Sequence, residues 1–395
     1  MATRREVVVL SAVRTAIGDF GGSLKDVPLA DLATAVTREA VTRAGVAPDT
    51  VGQVVFGNVI HTEPRDMYLA RVATLNAGLA LSTPALTLNR LCGSGLQAVV
   101  SAAQVVMLGD AVIAVAGGAE SMSRSPYWLP GMRWGQRMSD GAVLDPMLGA
   151  LSDPFDKCHM GITAENIAAK WGISRADQDA LALESHRRAA AAMAAGHFRA
   201  QILPIELKTR KGVVSFDTDE HVRHDAKADD FAKLRPAFDK EGSVTAGNAS
   251  GINDGAAAVL LMEREAAEKS KLKPLARLVA YAHSGVDPKY MGIGPVPAVR
   301  AVMQRAGLSV SDMDVIESNE AFAAQALAVA RDLDLPPERT NPNGSGISLG
   351  HPVGATGCIL TVKALYELQR GGGRYALVTM CIGGGQGIAA IFERM

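Results

Sequence analysis

The sequence predicts a layered α/β fold, built from a duplicated unit with a large insertion between its two copies. Three observations predict it. Short apolar, β-branched runs alternate with helical patterns along the chain. Matching segments recur in the same order near the two ends of the 395 residues. Between them, the stretch from about Ser121 to Ala249 is richer in Met, Trp, His, Pro and charge.

The elements follow in order. Val7–Leu10 reads as the first strand. With Thr3-Arg4-Arg5-Glu6 before it and apolar residues up to Val13, it imitates a secretory leader, but the stretch is short, is closed by Arg14 and lacks a small-residue cleavage site. Leu29 to Ala44 has helical spacing, and Val54–Phe56 is a strand. The uninterrupted run Val112–Ala116 fits a strand buried on both faces. Leu96, Val99, Val100 and Ala103 fall at i, i+3, i+4, i+7, so a buried helix begins near Gly93. In the middle segment, Ala189–Ala195 is a strong helix former with no strand expected nearby. The segment therefore reads as an insertion loop with its own helices, and loops of this length are usually functional. Further on, Val315-Ile316 and Tyr375–Met380 are strands, and Pro352 suits the first turn of a helix.

The repeat pairs Val36–Gly45, leading into Val54–Asn58, with Val299–Gly307, leading into Val315–Asn319. Gly45 falls on Gly307 at an offset of 262, which also puts Gly57 on Asn319. Cys92-Gly93-Ser94-Gly95 answers His351-Pro352-Val353-Gly354 at an offset of 259, and Val115–Gly118 resembles Cys381–Gly384.

Composition narrows the function. Lys+Arg is 40 and Asp+Glu 41, a net charge of −1, so there is no footprint for duplex nucleic acid, although a local phosphate-binding patch is compatible. The hydrophobic share of 48% excludes bulk disorder. The cysteines, Cys92, Cys158, Cys358 and Cys381, form no CxxC pair and no disulfide framework, so zinc is not expected and reduced thiols of a cytoplasmic protein fit. No apolar run is expected to supply the roughly 18 residues of a membrane helix.

Four motifs carry chemistry. Cys92 lies at the predicted N-terminus of a helix, where the dipole and free N–H groups lower a thiol pKa; it is either a nucleophile or a buried structural cysteine. His351 stands before Pro352 in the glycine-rich stretch Asn343–Gly357, placed either as a site residue or as a solvated or capping histidine. Cys381 precedes Ile382-Gly383-Gly384-Gly385 at a strand end, where freed backbone N–H groups hold an oxyanion or simply close a hairpin over a core cysteine. Asn319-Glu320 follows Val315-Ile316, as a crevice pair or a helix cap. Weaker features have blander readings. His221 and His224 read as a solvated face. Lys208, Arg210 and Lys211 read as surface. Asn248-Ala249-Ser250 is a sequon that a reduced cytoplasmic protein would not use, and Cys158 and Cys358 are structural. Gly93, Gly95 and Ala98 mimic a dinucleotide fingerprint, a weak signal when alone.

Taken together, these motifs resemble the thiolase superfamily over essentially the whole chain. Also matching are Ser11–Gly18, Gly118–Met122, His159–Asn166 and Ala246–Gly251. Within the superfamily, Asn58–Tyr68 and Asn341–Ser348 look like the bacterial short-chain β-ketothiolases of polyhydroxyalkanoate synthesis. The resemblance implies a five-layered αβαβα sandwich of two duplicated halves. Residues 1–120 with 250–272 would form the N-terminal half, 273–395 the C-terminal half, and 121–249 a loop domain carrying the CoA site and tetramer contacts. It implies Cys92 as nucleophile, His351 as its base and Cys381 as the acid/base for the α-proton, a free thiol titrating close enough to neutrality for this once tuned. One oxyanion would be held by His351 and a water positioned by Asn319, the other by the N–H groups of Cys92 and Gly383. Leu151, His159, Met160, Arg223, Ala246, Ser250 and Met291 would contact CoA, with Phe238 and Phe322 lining the pantetheine tunnel. Asp230 stands where the family pattern has serine, and Gly344-Ser345-Gly346 replaces the commoner Gly-Gly-Ala. The substrates implied are acetyl-CoA, short acyl-CoA and 3-ketoacyl-CoA, with no cofactor, metal, nucleic acid or membrane partner, in a cytoplasmic homotetramer.

Other readings make different demands. A degradative thiolase would prefer longer chains. A decarboxylating synthase of the same superfamily typically pairs one Cys with two His, or with His and Asn. A non-catalytic acyl-CoA-binding protein would need neither Cys92 nor His351. A nicotinamide dehydrogenase rests on the fingerprint mimic alone.

Overall fold

The duplication visible in the sequence is a duplication of topology. In the computed structural model, which describes residues 5–210 and 212–395, the chain forms a sandwich around one continuous sheet. Thr3 and Arg4 of the opening run and Lys211 of the basic run lie outside the described residues. The N-terminal half contributes β1 (Val7–Thr15), α1 (Leu29–Ala44), β2 (Gln53–Gly57), α2 (Leu69–Asn76), β3 (Ala85–Leu88), α3 (Ser94–Leu108) and β4 (Ile113–Ser121). The inserted segment holds α4 (Pro146–Ala150), α5 (Met160–Trp171) and α6 (Arg175–Ala194). The remainder holds β5 (Asn253–Glu263), β6 (Ala276–Gly285), α7 (Pro295–Ala306), β7 (Val315–Ser318), α8 (Ala323–Leu333), α9 (Val353–Gly371), β8 (Tyr375–Ile382) and β9 (Gln386–Arg394).

Strand order along the sheet is β7-β8-β9-β6-β1-β5-β4-β2-β3, with Gly18–Asp19 and Ile202–Leu203 attached off this path. Read outward from the β1/β6 junction, the two halves match: β1-β5-β4-β2-β3 against β6-β9-β8-β7, where a parallel bridge from Ile316 to Thr340 takes the place of β3. Even the irregularities are copied. The β1/β5 register shifts between Val9 and Ser11, and the β6/β9 register between Leu278 and Ala280. Helices α1 and α7 both end on a left-handed glycine, Gly45 at φ 67° and Gly307 at φ 66°, the pair aligned in the sequence repeat.

Layering follows from which faces are apolar. Helix α1 covers one side of the N-terminal strands and α7 one side of the C-terminal strands, while α3 and α9 pack on each other between the two sets of strands. Helices α5 and α6 of the insertion lie on α8. The α3/α9 contact is made by backbone. A Cβ on Gly95 would stand 2.6 Å from the Cys358 nitrogen, and one on Gly357 2.3 Å from the Leu96 nitrogen. The insertion is pinned to β1 by a buried ion pair. The Arg14 guanidinium binds both Asp219 oxygens, at 2.7 and 2.9 Å, donates its Nε–H to Gln201 at 2.7 Å and lies over the Phe198 ring.

Several expectations need correction. The strand expected at Val7–Leu10 runs to Thr15, because Arg14 is neutralised inside the fold rather than ending the element. The match of Val115–Gly118 to Cys381–Gly384 is four residues out of register. Gly57 pairs with Gly118 in β4, and Ser318, one residue before its counterpart Asn319, pairs with Thr379 in β8, which sets Gly118 against Met380. Small residues and glycines recur in both strands, so composition alone does not fix their register. The insertion does contain strands: Ile202–Leu203 pairs in parallel with the end of β1, and Ile205–Thr209 with Gly212–Phe216 forms a separate hairpin. Leu91–Leu108 is apolar enough, at a mean hydropathy of 1.6, to pass for a membrane span; it is the central helix α3, apolar because strands lie on both sides of it. Pro352 is the N-cap of α9 and not its first turn. Asn248 of the sequon is buried and donates its amide to Asp179 at 2.8 Å.

The close approach of α3 and α9 makes a stability prediction. Gly357→Ala should cost about 1–3 kcal/mol, because the new methyl meets backbone that no rotamer change can move. Gly371→Ala, on the same helix with nothing within 4 Å of the added Cβ, should be neutral or stabilising. Thermal unfolding of the two variants checks this; equal melting temperatures would contradict it.

Candidate active site

Each of the two central helices is entered by a short loop, and each loop ends on a residue marked in the sequence. The chain leaves β3 at Leu88 and turns through Asn89–Gly93 into α3. Asn89 Oδ1 accepts the Leu91 N–H at 2.8 Å; Ser94 Oγ accepts from the Arg90 N–H at 2.8 Å and donates to the Leu91 carbonyl at 2.7 Å. These bonds hold Leu91 at φ 44°, a left-handed conformation that costs a non-glycine residue about 1–2 kcal/mol. The strained elbow presents Cys92, partly exposed, just before the N-cap Gly93. A Cβ on Gly93 would meet Ile382 Cδ1 at 2.5 Å, so the elbow presses against β8.

The thiol departs from expectation. Burial pushes Cys92 up to about 11, although the N–H groups of Gly383 and of Cys92 itself pull the other way; the Glu120 charge adds to the rise. The helix terminus does not win against desolvation, so the resting residue is a thiol and needs a base.

His351 stands at the matching place before the other central helix. It lies between Gly350, at φ 103°, and the N-cap Pro352 of α9. Its backbone N–H donates to Asn253 Oδ1 at 2.9 Å, and the side chain is 4% exposed, which removes the solvated and capping readings. Ring Nδ1 lies 2.6 Å from Thr356 Oγ1, and that hydroxyl donates its own proton to the Pro352 carbonyl at 2.9 Å. The hydroxyl must therefore accept from Nδ1–H, which leaves Nε2 as a bare lone pair. Nε2 faces Asn319 Nδ2 at 3.4 Å. Burial lowers His351 to about 4, so the ring is neutral at pH 7 and ready to take a proton.

Asn319 continues from β7, its N–H donating to the Thr379 carbonyl at 3.0 Å; α8 begins only at Ala323, so it caps no helix. Cys381 is buried within β8, opposite Gly387 of β9. Burial raises its thiol far above the ordinary range, and the neighbouring Cys92 charge raises it further, so this thiol too is protonated at rest and not tuned toward neutrality. The hairpin turn Gly383–Gly385 has Gly384 at φ 79° and Gly385 at φ 84°. A Cβ on Gly383 would stand 2.7 Å from Met160 Cε and 3.1 Å from Leu91 Cδ1, and the Gly383 N–H reaches the Cys92 sulfur.

Four of the nine residues expected to bind the CoA thioester lie in or against the apolar cluster of Cys381. Met160, Met291 and Phe322 share its apolar cluster, with Phe238 against the edge. His159 caps α5 through Nδ1, which accepts the Gly161 N–H at 3.0 Å, and stacks on Phe238 with centroids 4.5 Å apart. Phe238 meets Phe322 edge-on at 6.2 Å. The Met160 N–H donates to the Leu151 carbonyl at 2.8 Å, and the Ser250 N–H to Ala321 at 2.9 Å. Arg223 sits apart, in a cavity of about 250 Å³ with Asp225, Ala226, Asp230, Phe231 and Leu234. Exposed Ala246 adjoins it through Gly247, which packs on Leu234 and Phe231.

Sequence reasoning missed Thr356, Asn253 and Asn58, and quoted Glu120 without a role. A lone carboxylate in the apolar run of β4 was the available signal for Glu120; Thr356 shows only as a hydroxyl five residues after His351 in a proline-started helix. His221 does not lie on a solvated face, since its Nδ1 pairs with Asp19 Oδ1 at 2.5 Å. Among the described residues no group of three or more His, Cys, Asp or Glu is placed to hold a metal. The fingerprint mimic at Gly93–Ala98 has no room for a dinucleotide, because Gly93 faces Ile382 and Gly95 faces α9.

Comparison with known proteins is consistent across the chain. The pattern described as Thiolase, N-terminal domain, matches residues 7–265, and Thiolase, C-terminal domain, matches 272–394. The β-ketothiolase BktB of Cupriavidus necator is 69% identical over 392 residues, 99% of this chain and all of that protein. The acetyl-CoA acetyltransferase structure from Syntrophomonas wolfei superposes with a TM-score of 0.97 at 43% identity, covering 99% of this chain and 100% of that one. Human mitochondrial 3-ketoacyl-CoA thiolase in complex with CoA gives 0.96 at 45%, covering 99% and 98%.

Two outcomes follow from the site. Thr356→Val leaves the His351 Nδ1–H buried without an acceptor, a loss of about 1–3 kcal/mol for that tautomer, so the acylation rate should fall about 10- to 100-fold while Thr356→Ser retains it; equal rates would contradict the tautomer assignment. Because His351 is depressed, its neutral form persists as pH falls, so the acid limb of kcat/KM should lie below about pH 5 rather than at the ~6.5 of free imidazole, with the plateau extending upward toward the Cys92 value; an acid limb near 6.5 would contradict the burial argument.

Proposed function

The chain belongs to the thiolase family, and from that premise we propose that it is a β-ketothiolase, joining an acyl-CoA and acetyl-CoA into a 3-ketoacyl-CoA plus CoA, and reversing that reaction. The observation that carries the reading is a pair of neighbouring protonated thiols, the partly exposed Cys92 and the buried Cys381, together with a neutral imidazole at the matching place before α9 whose unprotonated Nε2 faces Asn319. A decarboxylating synthase would present an imidazole or amide where Cys381 stands.

The chemistry proceeds by proton exchange within this group. His351 Nε2 takes the Cys92 proton as Sγ bonds to the acyl carbonyl carbon. The tetrahedral oxyanion faces the N–H groups of Cys92 and Gly383; losing one such donor typically costs roughly 3 kcal/mol. As the C–S bond to CoA breaks, the CoA thiolate takes the proton from His351. The acyl group now rests on Cys92. For condensation, Cys381 gives its proton to His351 and, as thiolate, removes the α-proton of a second acetyl-CoA. The enolate oxygen is held by the His351 imidazolium and by a water on Asn319, whose buried Oδ1 has no protein partner among the described residues. The carbanion bonds to the acyl carbon, the Cys92 C–S bond breaks, and His351 returns a proton to Cys92. Thiolysis runs the same steps backward.

Close packing of Met160, Leu91 and Phe322 around the sulfurs supports short acyl groups such as acetyl and propionyl, and a degradative long-chain role is not favoured. Leu151, His159, Met160, Arg223, Phe238, Ala246, Ser250, Met291 and Phe322 bind the CoA thioesters, Arg223 toward the nucleotide and Ser250 toward the pantetheine. Exposed Trp128, Trp134 and Met138, the last two each 87% accessible, support a homotetramer assembled through the inserted segment. The loop domain spans 121–249, and the halves 1–120 with 250–272 and 273–395. The resemblance of Asn58–Tyr68 and Asn341–Ser348 supports a place in polyhydroxyalkanoate synthesis, and the four free cysteines support the cytoplasm. No cofactor or metal is required beyond the CoA substrates, and no nucleic acid or membrane partner is proposed.

A CoA-dependent thiolysis assay should show cleavage of acetoacetyl-CoA and 3-ketovaleryl-CoA with weak activity on long 3-ketoacyl-CoA. Preference for long chains, or no cleavage, would overturn the proposal. Cys381→Ala should still accept an acetyl group from acetyl-CoA yet condense at least 100-fold more slowly; near-normal condensation would remove its role.

A further inference from the structure

Glu120 is a fully buried carboxylate, the one charged side chain of β4, and it lies at the seam between the two halves of the fold. Its oxygens accept four N–H donors. Oε1 takes the Asn58 amide at 2.9 Å and the Ile60 N–H at 3.0 Å; Oε2 takes the Val59 N–H at 3.1 Å and the Gly354 N–H at 2.8 Å. Three of these donors belong to the loop after β2. The fourth is a free N–H in the first turn of α9, three residues beyond His351. The space around it is closed by glycine. A Cβ on Gly354 would lie 2.5 Å from Glu120 Oε2, and one on Gly118 would lie 2.3 Å from the Gly354 carbonyl. Val59 and Ile60 in turn wall a cavity of about 690 Å³ that also includes Leu91, the strained residue next to Cys92.

We propose that Glu120 is a positioning residue for the reaction above, clamping the 58–60 loop and the α9 N-terminus in one frame so that His351 stays in register with the Cys92 elbow. The proposal rests on the thiolase reading. Only an ionised carboxylate accepts four donors without offering one of its own. A glutamine of the same shape fails whichever way its amide turns, because its NH2 then meets two N–H groups. Charge has a second effect. Burial raises Glu120 to about 8 against the pull of the Ile60, Val59 and Gly354 N–H groups, and the Asp254 charge adds to the rise, so the carboxylate is mainly ionised, and the four-donor clamp complete, above that pH; Glu120 in turn raises Cys92.

Two variants of the full-length protein test this, Glu120→Gln and Glu120→Asp. In single-turnover acylation by acetyl-CoA at pH 9, both should fall at least 10-fold, while KM for the thioester stays within about twofold. Alkylation of Cys92 by iodoacetamide at pH 9, where Glu120 is mainly ionised, separates charge from reach. Glu120→Gln should alkylate several-fold faster than wild type, since the carboxylate no longer opposes the thiolate. Glu120→Asp keeps the charge but is one methylene short, so it should alkylate at the wild-type rate; should Glu120→Gln not fold, Glu120→Asp alone decides. Acylation at the wild-type rate in either folded variant overturns the proposal, as does unchanged alkylation in Glu120→Gln. A wild-type chain that does not acylate would overturn the function instead, and the alkylation arm would still read Glu120.

Discussion

The constraint on which the rest depends is the backbone contact between α3 and α9. Gly95 and Gly357 let the two central helices touch main chain to main chain, with less room than a single methyl group would need. The duplicated topology then makes their N-termini equivalent, and the residues just before them, Cys92 and His351, are the pair that the 259-residue offset aligns. The proposed nucleophile and base thus occupy the same structural position used twice, each at the start of one of two helices that pack on each other. Glycines at Gly93, Gly118, Gly354 and Gly383 extend the same logic outward, each letting an element approach where a Cβ would intrude.

Close packing also sets the electrostatics. Protein encloses the centre, and desolvation outweighs the helix termini: both thiols rise and the imidazole falls. The resting state therefore holds no standing thiolate, which protects two cysteines from adventitious reaction. Charge forms only when a substrate carbonyl arrives to receive it, and the same low-dielectric surroundings make the waiting N–H donors of Cys92 and Gly383 more effective. The Thr356 hydroxyl adds direction, fixing which ring nitrogen is bare.

The sequence made much of this legible. Leu29–Ala44 is the helix its spacing predicts, residue for residue, and Gly45 and Gly307 cap equivalent helices as the repeat implies. Cys92, His351 and Cys381 stand out because each is a reactive type beside a glycine cluster, and Asn319 because a polar pair follows an apolar strand. What stayed hidden depends on three dimensions. The sign of the Cys92 shift is set by how much protein closes over the elbow. The β4/β8 register was misread because several glycine-rich alignments look alike until strand pairing chooses one. Thr356 and Asn253 act through single hydrogen bonds to His351 from different segments, and no periodicity marks such partners.

The central claim is that Cys92 is the residue on which the acyl group rests, activated by its structural twin. Peptide-level mass spectrometry after rapid quench with acetyl-CoA tests this most directly. The account predicts one acetyl group on Cys92, removed when CoA is added and strongly reduced in His351→Ala. Acetyl found on Cys381 or elsewhere, or full labelling of Cys92 at the normal rate without the His351 imidazole, would contradict it.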